Sequence, residues 1–410
     1  MMIRLSSIAI ATALLFGCAQ TSLVAPDPSA LPISAKDIAS SSIIVDTHVD
    51  VPYRLESKPD DISVATESGD FDYPRAVSGG LNAPFMSIYT PAKLEAEGGS
   101  REVAVKLMDM VDGFAEQWPD KFRIARSPAD VRKQFAAGLM SLPMGMENGS
   151  PIEGDLSSLQ YFYDRGIRYI TLTHSLSNHI SDSSYDSNRQ WGGLSEFGVE
   201  VVKEMNRLGI MVDVSHISDD AFWQVMDVAT APAIASHSSA RHFTPGFERN
   251  MSDEMIVRLA ENGGVIQINF GSSFITAEAQ EYANARSEAG KAYAALHPEF
   301  SETDLYRSFP AIYAAANGPF PFASLSDVLD HIDHVVKLTS IEHVGIGSDF
   351  DGVGDSLPHG LKDVAAYPNL IQGLLDRGYS EADIRKILGE NLLRVWQVVE
   401  DYAATTSSST

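Results

Sequence analysis

The sequence is short of cysteine, of positive charge and of long apolar runs. It has one cysteine in 410 residues, Cys18, so no disulfide can form within the chain. Lys and Arg number 30 against 55 Asp and Glu, a formal net charge of −25, and no basic cluster interrupts that balance. A surface this acidic repels nucleic acid and anionic lipid headgroups. The apolar run near the start, residues 8–16, is too short to span a bilayer as a stable anchor. No GxGxxG and no phosphate-binding loop follows any strand candidate, which weighs against a doubly wound nucleotide-binding sheet. No internal repeat or composition break divides the body. What is present is an ordinary globular composition, 44% hydrophobic and 21% charged, long enough for one large domain or two smaller ones.

The opening MMIRLSSIAIATALLFGCAQ reads as a targeting segment, with Arg4 before a short apolar core. Leu15-Phe16-Gly17-Cys18 resembles the bacterial lipobox, although Phe16 is bulkier than the usual residue. The expectation is a lipoprotein signal peptide at 1–17, a lipid on Cys18 and a flexible Ser/Pro/Ala-rich tether at 18–38. A single domain at 39–402 and a disordered tail at 403–410 follow. The chain would then be exported, anchored by lipid to the periplasmic face of a membrane or the cell surface. A plain secretory signal with a chance cysteine, or an uncleaved anchor, is the alternative.

From residue 42 onward, short β-rich runs alternate with amphipathic helical stretches. The strand candidates are 42–48, 83–89, 140–146, 168–173, 210–215, 232–236, 264–269 and 343–348. Helical patterns lie between them near 101–117, 155–165, 195–208, 218–228, 252–261 and 325–339, and after the last strand at 363–377, 380–388 and 390–402. Eight strands alternating with helices predict an α/β fold, a (β/α)8 TIM-type barrel. Long connections at 52–80, 174–194 and 271–322 follow strand candidates. In a barrel that puts them on the C-terminal face, where the site belongs.

Six of the eight candidates end in a His or a carboxylate. The first, in VDTHVD, delivers His48 and Asp50, two apart as residues sharing one face of a strand are. The others deliver Glu147, His174, His216, His237 and Asp349. Any one alone reads as a turn or cap residue. Independent turn residues would not favour His so heavily, and a closed barrel brings the set to one pocket. His48, Asp50, Glu147, His216 and His237 form a mixed N/O set suited to Zn²⁺, with Mn²⁺, Co²⁺ or Fe²⁺ as alternatives. Five ligands exceed one tetrahedral site. If Glu147 bridges, they serve two metals about 3.5–4 Å apart that share a hydroxide. His174 and Asp349 are then free for catalysis.

The stretches VDTHVDVP, MGMENG, YITLTHS, DVSHIS, IASHSSAR, FERNMSDE, HVGIGSDFDG and GENLLRVW run in order from about 43 to 396. In that order the chain resembles the membrane dipeptidase (renal dipeptidase) family of binuclear zinc peptidases. The resemblance implies His48 and Asp50 on one metal, Glu147 bridging, and His216 and His237 on the other. It also implies His174 at the scissile carbonyl, Arg249 on the substrate carboxylate and Asp349 handling protons. The implied activity is hydrolysis of short peptides with a free C-terminal carboxylate, L,D-dipeptides included, and the family's frequent dimers leave a homodimer open. One departure is Gly271 after Asn269-Phe270, where some members carry an aromatic residue. Rival readings are another amidohydrolase on the same barrel, acting on N-acyl amino acids or lactams, and a non-catalytic metal- or peptide-binding lipoprotein.

Other polar residues read as structural. His331 and His334 are expected to make structural contacts on an outer helix, His179 to ride a flexible loop, and Asp351 to cap a turn. Asp46 is expected to support the site rather than ligate.

Overall fold

Runs of Ile, Val and Met, buried at nearly every position, form the strands. They appear in chain order in the computed structural model, which describes residues 33–407. They are β1 (Ile44–Val49), β2 (Leu81–Tyr89), β3 (Phe122–Ile124), β4 (Met140–Leu142), β5 (Met144–Glu147), β6 (Ile167–Thr171), β7 (Met211–Asp213), β8 (Ile234–Ser238), β9 (Val265–Ile268) and β10 (Val344–Ile346). Eight of them make one parallel sheet in the order β1-β2-β5-β6-β7-β8-β9-β10. Beyond the last paired strand residues, Val49 bridges Phe350 in parallel, and the Asp50 amide donates to the Phe350 carbonyl at 2.9 Å. The sheet thereby curls into a nearly closed (β/α)8 barrel.

Asp46 staples that seam. Its carboxylate accepts from the Ser348 amide at 2.9 Å, the His48 amide at 3.1 Å, the Ser348 hydroxyl and the Tyr367 hydroxyl. It is inner support, as expected.

Several of the helices between strands start where serine side chains cap them. Ser195, Ser218, Ser252 and Ser324 each accept a first-turn backbone N–H, opening Glu196–Leu208, Asp219–Val228, Asp253–Glu261 and Leu325–Leu338. The C-terminal helix Asn391–Ser407 lies beneath the barrel. Its Trp396 ring meets Phe85 at 5.4 Å, and Phe85 meets Tyr169 at 5.5 Å, so an aromatic column rises through the interior towards the strand ends.

Several expectations change. The run 140–146 is not one strand. Pro143 interrupts it, so Met140–Leu142 pairs with a strand absent from the expectation, β3, and only Met144–Glu147 enters the barrel. The insertion 271–322 carries the long helices Ala277–Leu296 and Glu302–Asn317. The first is rich in Ala and Glu, so helix propensity rather than an apolar stripe builds it, and a search for periodicity passes over it. Helix Val51–Ser57 runs into the connection 52–80, which also carries helix Tyr73–Gly79. The domain begins earlier than 39, at helix Ala35–Ser41, and the helix placed at 390–402 continues to Ser407. The proposed leader, Cys18 and most of the tether lie outside the described residues. Among the described residues no helix is long and apolar enough to cross a membrane.

Glu400, on the last helix, is pushed up to about 7, chiefly by burial, with Arg168 nearby pulling the other way. The Arg168 guanidinium is already spent on the carbonyls of Arg126, Tyr163 and Ile167. A carboxyl whose pKa rises on folding costs stability as pH climbs from about 4.5 to 7, because the folded chain then holds more protons than the unfolded one. Glu400→Gln is therefore expected to raise the melting temperature at pH 8 and leave it unchanged near pH 4.5. For a part-exposed group the gain is on the order of 1 kcal/mol. Paired melts at the two pH values check it.

Candidate metal centre

Each expected residue is placed by the end of a barrel strand or the segment just after it. The route for the first pair differs from simple alternation. β1 stops at Val49, and its register slips between Asp46 and Val49. Asp50 is the residue before helix Val51–Ser57. The slip lets Thr47 and His48 both turn inward. Thr47 Oγ1 donates to the Ile346 carbonyl at 3.0 Å, and His48 reaches the Tyr169 hydroxyl. His48 Nε2 then lies 3.3 Å from Asp50 Oδ2.

Glu147, the last residue of β5, divides its oxygens between two groups. Oε2 faces His48 Nε2 at 3.4 Å. Oε1 faces His216 Nε2 at 3.1 Å, His237 Nε2 at 3.3 Å and His174 Nε2 at 3.5 Å. Asp349 completes a group with His48 and Asp50. Three residues here hold left-handed backbone without being glycine: Asn148 at φ 83°, His216 at 71° and Asp349 at 65°. Such strain persists only where surroundings impose it. The Ser184 amide on the His216 carbonyl at 2.8 Å, and the Asp349 amide on the His48 carbonyl at 3.0 Å, do so.

The hydrogen-bond network sets which imidazole nitrogen is bare. Tyr169, kept neutral by burial, donates its hydroxyl to the Thr47 carbonyl at 2.9 Å. It has no second proton, so at 3.0 Å it accepts from His48 Nδ1–H, which leaves the Nε2 lone pair free in the neutral ring. Likewise Ser236 Oγ donates to Asp213 Oδ2 at 2.6 Å and accepts from His237 Nδ1–H at 2.7 Å. Two bare nitrogens thus face carboxylate oxygens, acceptor against acceptor. His48 Nε2 is buried without a hydrogen-bond partner. A proton on Nε2, or a metal ion held between the groups, satisfies both sides.

The charge states agree. Burial, then Arg249, pushes His216 well below its ordinary value; burial, then His48, does the same for His237. Burial works to raise Glu147, yet His48 and His174 and the contacts with His216 and His237 hold it well below the usual carboxylate range. Burial works to lower His48, yet Tyr169, Asp50 and Glu147 raise it well above normal, so this position draws positive charge. The neutral imidazoles of His216 and His237 beside the ionised Glu147 are what a divalent ion needs, and at His48 such an ion would take the place of a proton. The residues present fit a metal centre.

The remaining expected residues also arrive. Arg249 is buried; Nη1 donates to Ser238 Oγ at 2.8 Å and Nη2 to the His237 carbonyl at 2.8 Å, while Nε has no partner. Asp349 Oδ2 accepts from Asn269 Nδ2 at 2.7 Å. Asp351 turns away to Arg54 at 2.8 Å and the Asp70 amide at 2.6 Å, so it ties down the 52–80 connection rather than capping a turn. His179 is not loose: Nδ1 pairs with Glu95 at 2.8 Å, and Nε2 accepts from the Gly154 amide at 3.2 Å. His331 is structural.

Sequence reading missed Tyr169, Asp213 and Ser236. Tyr169 left one trace, Gly145 inside a strand. A Cβ there would sit 2.0 Å from Tyr169 Cζ, so the ring crosses the barrel only over a glycine.

A parallel barrel whose strand ends carry clustered histidines and carboxylates defines a metal-dependent hydrolase of the TIM-barrel class. The membrane dipeptidase (peptidase family M19) pattern matches residues 33–410, and the chain belongs to that family. It is 35% identical over 348 residues to dipeptidase aclJ of Aspergillus oryzae, covering 83% of this chain and 72% of that one. Among solved structures it is similar to the probable dipeptidase PvdM from Pseudomonas aeruginosa, with TM-score 0.79 and 28% identity over 90% of this chain and 98% of that one. It is also similar to a metallo peptidase from Rhodobacter sphaeroides liganded with a phosphinate mimic of L-Ala-D-Ala, with TM-score 0.71 and 26% identity over 87% and 99%.

Tyr169→Phe keeps the ring and removes the hydroxyl that orients His48. It is expected to weaken divalent-metal retention by about 10–100-fold with the fold intact. Competition against a chelator of known affinity, alongside circular dichroism, checks it.

Proposed function

We propose that the chain is a binuclear metal-dependent dipeptidase, zinc being the first candidate ion, that cleaves dipeptides with a free C-terminal carboxylate. The observation that carries this reading is the divided carboxylate of Glu147, one oxygen turned to His48 and the other to His216 and His237. In this reading His48, Asp50 and Glu147 hold one ion, and Glu147, His216 and His237 the other. When bound, the ions would supply Lewis-acid polarisation of the peptide carbonyl and would make the attacking water more acidic.

The protein's own groups do the rest. Asp349, pushed up to about 7 by burial and by Asp50 and Glu147 against the pull of His48, takes the proton from the attacking water and hands it to the leaving amine. Asn269 holds its Oδ2, so Oδ1 is the oxygen left to exchange protons. His174, kept neutral chiefly by burial, offers an N–H to the carbonyl oxygen as negative charge grows there. Arg249 grips the substrate carboxylate, giving its unpartnered Nε a partner. A guanidinium at that point limits the substrate to short peptides, because a longer chain has no carboxylate there. The phosphinate mimic of L-Ala-D-Ala bound by the Rhodobacter relative supports L,D-dipeptides as substrates.

The test is hydrolysis of L-Ala-L-Ala, L-Ala-D-Ala, L-Ala-L-Ala-amide and N-acetyl-alanine, before and after chelation. Both dipeptides should be cleaved, chelation should abolish the activity, and Zn²⁺ should restore it. Arg249→Ala should lower kcat/KM for the free dipeptides by about 100-fold, since a charged hydrogen-bonded contact is worth roughly 1.5–3 kcal/mol, and should change the amide little. Cleavage of N-acetyl-alanine in place of dipeptides would overturn the proposal.

A further inference from the structure

A second histidine–carboxylate cluster is built from residues outside that ring. His242 lies in the short turn Arg241–Phe243 after β8, Asp253 opens helix Asp253–Glu261, and His334 lies on helix Leu325–Leu338. One ligand atom from each falls within 4.8 Å of the others. His334 Nε2 is 2.8 Å from Asp253 Oδ1, and the His242 and His334 rings stack at 4.4 Å with planes 22° apart.

The three groups are not engaged elsewhere. Asp253 sits at a helix start, but Ser252 supplies the cap, its Oγ accepting from the Met255 amide at 3.3 Å. The ring nitrogens of His242 make no hydrogen bond among the described residues. His331, one turn before His334, shows the contrast. Its Nδ1 accepts from the Ala240 amide at 3.0 Å and its Nε2 donates to the Ile275 carbonyl at 2.9 Å, so both nitrogens are used. Those bonds, and Arg241 clamped bidentately on Asp219 at 2.7 and 2.6 Å, fix the turn that presents His242.

The 2.8 Å contact between His334 and Asp253 leaves the adjacent, exposed His242 free to join one divalent ion shared by all three. Two nitrogens and one carboxylate oxygen, open to water on the remaining side, suit Zn²⁺, Ni²⁺ or Cu²⁺ rather than Mg²⁺ or Ca²⁺. Tetrahedral bonds of about 2.0–2.1 Å need donors about 3.3 Å apart. Closing from the 4.8 Å grouping to that spacing calls for rotation of the exposed His242 side chain. The net charge of −25 concentrates divalent cations near the surface.

We propose that His242, Asp253 and His334 form an accessory surface site for one divalent transition-metal ion. It does not depend on the dipeptidase reading. An ion there ties helix Leu325–Leu338 to the two segments flanking Arg249.

The test compares the wild-type holoenzyme with a His242→Ala/His334→Gln variant, equilibrated side by side with Zn²⁺, desalted and analysed for metal. The wild type should hold about one more equivalent than the variant, whatever number the strand-end centre holds. Added Zn²⁺ should raise the melting temperature of the wild type further than that of the variant, and both should cleave dipeptide equally. Cu²⁺ added to the zinc-loaded wild type should give an electron paramagnetic resonance spectrum with nitrogen couplings that the variant lacks. Equal metal content, with a melting difference that persists in chelator, would reduce the cluster to an ordinary His–Asp ion pair and overturn the proposal.

Discussion

A buried carboxylate surrounded by imidazoles is the constraint on which the rest depends. Glu147 cannot ionise in the barrel without positive charge beside it, and the Nδ1 hydrogen bonds of His48 and His237 aim their Nε2 atoms towards it. Carboxylate and lone pair repel unless a cation separates them. The barrel thus carries at its strand ends an electrostatic deficit that a divalent ion removes, and its folding and its chemistry meet at that point.

The supports for this arrangement are distributed around the barrel. Asp46 fastens β1 to the chain after β10 and fixes the backbone of His48. Asp213 ties the ends of β6, β7 and β8 together by accepting from Thr171 Oγ1, the Ser215 amide and the Ser236 hydroxyl, and through Ser236 it orients His237. Tyr169 joins the aromatic column below to His48 above. Each of these side chains is therefore held by a neighbour that is itself held, and the strained backbone at His216 and Asp349 is one cost of aiming so many groups at one spot.

Much of this was legible in the sequence because barrel strands are short and end abruptly. A His or carboxylate at the end of six strand candidates needed only closure of the sheet to converge, and the same residues in the same order carry the family resemblance. What sequence left hidden has physical reasons. Pro143 cuts an apolar run that looks continuous, because burial and ladder pairing are separate requirements. The helix Ala277–Leu296 is specified by propensity rather than by an apolar stripe. Tyr169, Asp213 and Ser236 act across strands far apart in the chain, and no local pattern signals such partners. His48 and Asp50 converge as their spacing implied, but through a register slip and a helix start rather than strand alternation.

The central claim is that the two oxygens of Glu147 serve two different metal ions. The most direct measurement is anomalous diffraction at the zinc edge from crystals of the zinc-loaded protein. The account predicts two peaks about 3.5–4 Å apart on either side of Glu147, one beside His48 and Asp50 and the other beside His216 and His237. A single peak at full occupancy, or ions that leave Glu147 uncoordinated, would contradict it.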